Sequence, residues 1–215
     1  MADFIATFAP AGLEGQALWL PLIWAVLLAV AVVMYVVADG FDLGIGILFK
    51  AAANENWRDR MMLSVAPIWD GNETWLILGG GGLFAVFYLA YAILLPALYL
   101  PLFTMLVALI FRGGAFGFRF KADTSKRIWD NAFHYGSLVA TFAQGVVLGA
   151  FVQGFESNGR QFTGGMFDWL TPFSIATGLG LVAGYALLGA TWCVMKTTGE
   201  LEIWARRMAV RALVA

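Results

Sequence analysis

The 215-residue chain has one cysteine, Cys193, and one histidine, His134. A lone cysteine excludes an internal disulfide and any multi-cysteine metal centre. A lone histidine excludes a b-type haem held by two histidines of this chain alone. Charge is scarce as well: Asp, Glu, Lys and Arg make up 13% of the residues, against about 25% in an ordinary soluble domain. No Lys or Arg precedes the first apolar stretch, which carries only Asp3 and Glu14 ahead of it. That stretch is too long for the apolar region of a secretory leader, so the N-terminus does not read as a cleavable signal peptide.

Apolar residues fill the space that charge leaves. They make up 61% of the chain, and the mean hydropathy is +0.79. A soluble protein of this size could not hide so much apolar surface, whereas lipid accepts it and helices satisfy their own backbone groups. Nine tryptophans suit a chain whose indole rings sit at headgroup level. The fold class expected is therefore all-α, a polytopic transmembrane helix bundle forming one domain over 1–215. A span needs about 20 apolar residues. Five helices are expected, at about 17–49, 62–91, 93–111, 132–152 and 169–195. A charged loop, Lys50 to Arg60, follows the first; a basic loop, Arg112 to Asp130, follows the third; a polar, glycine-rich stretch, Gln153 to Asp168, follows the fourth. The charged segment Lys196 to Arg207 leads into an apolar run, Met208 to Ala215, too short to span, so the sequence reads as part of a longer protein. Placing the N-terminus outside puts every Lys and Arg except Arg160 in inner segments, as the positive-inside rule asks.

Four acids fall within the expected spans: Asp39, Asp42, Asp70 and Glu73. A carboxylate at a helix centre costs about 2.5–3.5 kcal/mol on insertion scales, so four of them call for a purpose. Asp39 and Asp42 are three apart and share a helix face, as do Asp70 and Glu73. Both pairs lie towards the inner ends of their helices, at depths where they can face each other. The functional reading is a proton or cation path entering from the cytoplasm, since burial favours carboxyls that hold a proton. The structural reading is that the acids cap helix ends, or pair with Arg58, Arg60 or a partner subunit.

The segment Asp39-Gly40-Phe41-Asp42-Leu43-Gly44-Ile45-Gly46 superficially resembles a calcium loop, but the residues after it, Ile47, Leu48 and Phe49, are apolar and no bidentate Glu closes it. Gly40/Gly44, Gly145/Gly149 and Gly180/Gly184 instead have the spacing that permits close helix contact. The run Gly79 to Gly82 lacks the Lys-Ser/Thr of a phosphate loop and reads as a surface approached closely by a helix or an apolar molecule. His134 is expected to be a satisfied polar residue rather than a ligand, and Cys193 an inert core thiol. Trp69, Trp75 and Trp129 are candidate interface anchors, and Trp75 also a candidate lining for the path at Asp70.

These segments resemble a known family. Ala38-Asp39-Gly40-Phe41-Asp42-Leu43-Gly44 and Ser64-Val65-Ala66-Pro67-Ile68-Trp69-Asp70-Gly71-Asn72-Glu73-Thr74-Trp75-Leu76 are similar to the first- and second-helix signatures of subunit II of the cytochrome bd-type ubiquinol oxidases. Arg112 to Arg119, Thr171-Pro172-Phe173, Gly189-Ala190-Thr191-Trp192 and Lys196 to Leu201 follow in the family's order, with a likeness nearest the cyanide-insensitive branch. The resemblance implies a haem-free, eight-helix subunit of a bacterial cytoplasmic (inner) membrane complex that oxidises quinol, reduces dioxygen to water and builds a proton gradient. It implies a partner, subunit I, holding haem b, haem d and the site for a ubiquinone-type quinol, and leaves room for small accessory subunits, lipid and quinone. Cofactors and metals bound by this chain alone are not expected. Asp70 matches an acid implicated in proton entry, with Glu73, Asp39 and Asp42 as further candidates on that path. Trp75 matches a tryptophan beside a proposed oxygen route. Gly117 stands where many relatives carry an acid. The competing readings are a secondary transporter with Asp70 and Glu73 as its coupling site, and a purely structural assembly subunit.

Overall fold

A computed structural model describes residues 15–214, so Asp3 and Glu14 lie outside the described residues. The chain is a helical bundle with helices α1 (Gln16–Leu48), α2 (Glu55–Val65), α3 (Trp69–Val86), α4 (Tyr88–Ala97), α5 (Tyr99–Phe118), α6 (Lys126–Gln153), α7 (Pro172–Lys196) and α8 (Glu200–Val214). Single 3-10 turns follow α1 and α5. Helices α1, α5, α6 and α7 are each long and apolar enough to cross a membrane. With α3, at 18 residues or about 27 Å, they make up the body of the bundle.

The contacts fix how these helices run. Gly79 and Gly82 of α3 face Val32 and Leu28 of α1, while Asn72 faces Ala38 and Asp42. Rising numbers on one helix meet falling numbers on the other, so α1 and α3 are antiparallel. The pairs Trp69/Phe116 and Glu73/Arg112 make α3 and α5 antiparallel in the same way. Helix α6 runs opposite to α1, through Gly46/Ser137 and Tyr35/Gln144, and opposite to α7, through Gly145/Gly178 and Gly149/Ser174. One end of the bundle thus collects Lys50, Arg58, Lys126, Arg127 and Lys196, and the other carries Arg160.

Several boundaries differ from those read in the sequence. The stretch expected as one span over 62–91 is divided. Pro67 has no N–H to extend the ladder of α2, and Ile68 closes a turn onto Val65 instead. A second break falls at Phe87, whose backbone leaves helical geometry. The span expected from residue 93 begins at Tyr99, after a break at Leu98. Hydropathy stays high through both breaks, which is why an apolar window passes over them. The expected loops Lys50 to Arg60 and Arg112 to Asp130 are partly helical. Arg112 to Phe118 form the last two turns of α5, and Arg112 and Arg119 are fully buried.

Helix α7 starts on a capping box. The Thr171 hydroxyl accepts from the Ser174 N–H and the Ser174 hydroxyl accepts from the Thr171 N–H, both at 3.0 Å, with Pro172 at the first helical position. The Thr171 hydroxyl also donates to Gln153 at 2.5 Å, tying the start of α7 to the end of α6. Thr171→Ala should lower stability by about 1 kcal/mol, the usual worth of such a cap, read as a fall in the thermal midpoint of the solubilised protein.

The glycine spacings separate into two kinds. A Cβ on Gly44 would overlap the Tyr185 carbonyl and stand 2.6 Å from the Gly189 nitrogen, and one on Gly145 would stand 2.6 Å from the Gly178 Cα. Those glycines are the points where backbones touch. Gly180 and Gly184, by contrast, have nothing within 4 Å. Their expected packing role is corrected: both point away from every neighbouring helix among the described residues. In the run Gly79 to Gly82, Gly79 and Gly82 face α1, and Gly80 and Gly81 face open space.

Candidate functional site

The last three turns of α1 are wedged against α6 and α7 because Gly40, Gly44 and Gly46 let those helices approach, and α3 lies alongside through Asn72. This wedging removes Asp39 and Asp42 from any surface; both are fully buried. Neither caps a helix end. Arg112 of α5 enters the same space. Its Nη1 donates to Glu73 Oε1 at 2.5 Å, and its Nη2 lies 3.7 Å from Asp39 Oδ1 and 4.0 Å from Asp42 Oδ2. Asn72 donates to Asp42 Oδ2 at 2.7 Å and to the Ala38 carbonyl at 3.3 Å. Three of the four acids singled out from the sequence, Asp39, Asp42 and Glu73, thus meet on one guanidinium. The bond to Glu73 is short and charge-assisted; the approaches to Asp39 and Asp42 are ion pairs longer than hydrogen bonds.

Asp70 is not part of this group. It lies exposed in the first turn of α3, where a carboxylate complements the helix dipole. Glu73 follows one turn later, 23% exposed, so it reaches both the buried guanidinium and the outer face. Of this pair, expected to share one helix face, Asp70 is the outward member and Glu73 the inward one. The alternative partners Arg58 and Arg60 are engaged elsewhere, Arg58 with Asp130 and Arg60 with the Thr198 carbonyl.

An aromatic layer closes the cluster on the basic side. The Arg112 guanidinium lies 5.5 Å from the centre of the Phe116 ring. Phe116 stacks on Trp69 at 4.7 Å and meets Phe133 edge-on, and Phe133 meets Phe49. Beyond the layer sits the second buried arginine, Arg119. It donates to Asp59 at 2.6 Å and to Asp130 at 2.5 Å. Lys126 joins Glu55 and Asp59, and Arg58 joins Asp130, so three cations and three acids balance and lock α2 to the start of α6. On the other side of Asp39 lies a polar interior. Gln144 donates to the Tyr35 hydroxyl at 2.5 Å, while both carboxylate oxygens of Asp39, the Tyr185 hydroxyl and the Ser137 and Thr141 hydroxyls are buried without a hydrogen-bond partner among the described residues.

The residues missed in the sequence are Arg112, Arg119, Tyr35, Gln144 and Tyr185. Arg112 had a readable signal: three acids inside spans require a cation at their depth, and it ends the nearest apolar run. His134 Nδ1 lies 3.0 Å from the Gly46 carbonyl, which occupies that ring nitrogen in a hydrogen bond between α6 and α1. Cys193 is buried in the apolar core. Trp75 is partly exposed on α3, Trp69 stacks on Phe116, and Trp129 stacks on Phe118. A side chain at Gly117 would meet nothing within 4 Å, so packing does not dictate the glycine there.

The family model for cytochrome bd terminal oxidase subunit II matches residues 20–215. Cytochrome bd-I ubiquinol oxidase subunit 2 of Escherichia coli (strain K12) is 36% identical over 201 residues, covering 89% of this chain and 53% of that protein. A probable cytochrome oxidase subunit 2 of Haemophilus influenzae is 33% identical over 199 residues, with 89% and 53% covered. Cytochrome bd ubiquinol oxidase subunit 2 of Bacillus subtilis (strain 168) is 31% identical over 195 residues, with 89% and 58% covered. The chain spans about half the length of the curated relatives it matches. With the family model matched over nearly all of its length, the chain belongs to the cytochrome bd terminal oxidase subunit II family.

Proposed function

We propose that this chain acts within a bd-type quinol oxidase as the haem-free subunit that delivers protons to a haem-bearing subunit I. The observation that carries the reading is the Arg112 cluster. One guanidinium stands among three carboxyls in a space closed to solvent except through Glu73. Ionised carboxylates beyond the one the arginine balances are costly in such a site. Charge balance is met when the surplus carboxyls take up protons, so the cluster is a store that fills and empties. Asp70, exposed one turn before Glu73, is the entry. The aromatic layer of Trp69, Phe116 and Phe133 blocks a direct passage from the basic end, which leaves the Asp70–Glu73 face as the way in.

The rest follows the family. The basic end faces the cytoplasm with the N-terminus outside, in a bacterial inner membrane. Haem b and haem d of subunit I supply the electron transfer and the dioxygen chemistry, with a ubiquinone-type quinol as reductant. This chain's own work is to hold protons at the Asp39, Asp42 and Glu73 carboxyls and to keep water and ions out by close packing. Trp75, partly exposed on α3, lines the oxygen route into the assembly.

The test uses the complex purified from native membranes. Its absorption spectrum should show haem b and haem d bands. Asp70→Asn and Glu73→Gln should each lower quinol-driven oxygen uptake at least tenfold with those bands unchanged. A purely structural subunit would show full uptake once assembled, and that result would overturn the proton-delivery reading.

A further inference from the structure

Where the basic ends of α1 and α6 meet, the surface holds a second feature that the proton path does not use. A cavity of about 280 Å³ is lined by Lys50, Arg58, Arg127, Asp130 and Asn131, close to the lower end of small-ligand pockets, ~300 Å³. The one acid in the lining is already engaged: Asp130 accepts from Arg119 at 2.5 Å and pairs with Arg58 at 3.6 Å. Two of the three cations have no acid of their own. Lys50 and Arg127 form no ion pair among the described residues, and the Arg58 Nε is buried without a partner. The lining therefore carries an uncompensated positive charge, with an amide at Asn131 beside it.

The position of the cavity selects the ligand. Lys50 follows the last turn of α1 and Arg127 stands in the first turn of α6, so both lie where the apolar belt of the bundle ends. Lys50 donates to the Tyr135 hydroxyl at 3.2 Å and lies 4.3 Å from its ring centre, and Tyr135 is exposed. An exposed tyrosine at this level marks a headgroup boundary. Along α6 from Tyr135 the exposed surface turns apolar, beginning with Val139.

We propose that this cavity binds the phosphate of an anionic phospholipid headgroup, with Lys50 and Arg127 as its principal ligands, Arg58 and Asn131 as donors, and the acyl chains lying along α6. Phosphodiester is the chemistry recognised; the apolar strip beside the cavity makes a lipid, rather than free phosphate, its source. The site is independent of the proton path.

The experiment places the assembled membrane protein in nanodiscs of phosphatidylcholine with or without phosphatidylglycerol, and counts retained lipid by native mass spectrometry. The wild type should retain phosphatidylglycerol in preference to phosphatidylcholine. The variant carrying Lys50→Gln and Arg127→Gln should lose at least tenfold of it. Arg160→Gln, at the opposite end, should retain it in full. Equal retention by the double variant, or no preference between the two lipids, would overturn the proposal. Release of the bound phosphatidylglycerol by low-millimolar inorganic phosphate would overturn the lipid as the source. The three substituted positions are exposed and the contact given up is that of Lys50 with the exposed Tyr135, so loss of folding does not confuse the readout.

Discussion

Arg112→Leu should destabilise the bundle by about 3–5 kcal/mol, the range seen when one partner is removed from a buried ion pair. The reason is electrostatic rather than volumetric. Leucine fills much of the same space, but Asp39, Asp42 and Glu73 would remain inside without a cation. Detergent-solubilised protein should show the loss as a lower midpoint in thermal unfolding. The cause can be isolated. Adding Asp39→Asn and Glu73→Gln to Arg112→Leu removes two of the three stranded charges and should restore a large part of the lost stability, because groups in one network are strongly non-additive. If the triple variant is no more stable than Arg112→Leu, packing and not charge explains the arginine, and the account of the cluster as a charge-balanced store fails with it.

A second large effect is expected at a residue with no side chain. Gly44→Ala adds one methyl where α1 meets α7 backbone to backbone. The new Cβ would overlap the Tyr185 carbonyl and lie 2.6 Å from the Gly189 nitrogen and 2.8 Å from its Cα. No rotamer relieves an overlap with main-chain atoms, so the helices must separate. The cost should reach about 3 kcal/mol, the upper end of ordinary overpacking penalties. Separation would also reach the site, since Asp39 and Asp42 flank the displaced glycines. Gly184→Ala is the control. It has the same small-residue spacing but nothing within 4 Å, and it should leave the unfolding midpoint unchanged. Equal losses from the two substitutions would mean that glycine acts through the helix backbone itself and not through the α1–α7 contact.

The two predictions differ in how far each was legible in the chain. Glycines four apart can be seen at Gly40/Gly44, Gly145/Gly149 and Gly180/Gly184 alike. Only the azimuth of each helix decides which of them faces a neighbour, and azimuth is set by the whole bundle. The acids were readable because a carboxylate in an apolar run is expensive wherever it lies. Their cation was not, because Arg112 sits at the edge of an apolar run. An arginine at the end of such a run serves equally well as an anchor at the membrane surface. The same ambiguity turned the last two turns of α5 into an expected loop. Aromatic residues at Trp69, Phe116 and Phe133 gave no sign that they form a layer, since each is separately ordinary near a helix end.

Composition alone determined that the chain is a helical membrane protein, because lipid is the only solvent that tolerates so much apolar surface, and the acidic motifs in their order pointed to the family. A single histidine limited what the chain could ligate by itself. Tertiary structure decided the rest. It chose Glu73 over Asp70 as the partner of Arg112, sent Asp70 outward, placed a second buried arginine behind the aromatic layer, and left Lys50 and Arg127 facing a cavity. Pairings of this kind join residues 30 to 40 positions apart on separate helices. They depend on helix rotation and depth, which a linear sequence leaves open and close packing settles.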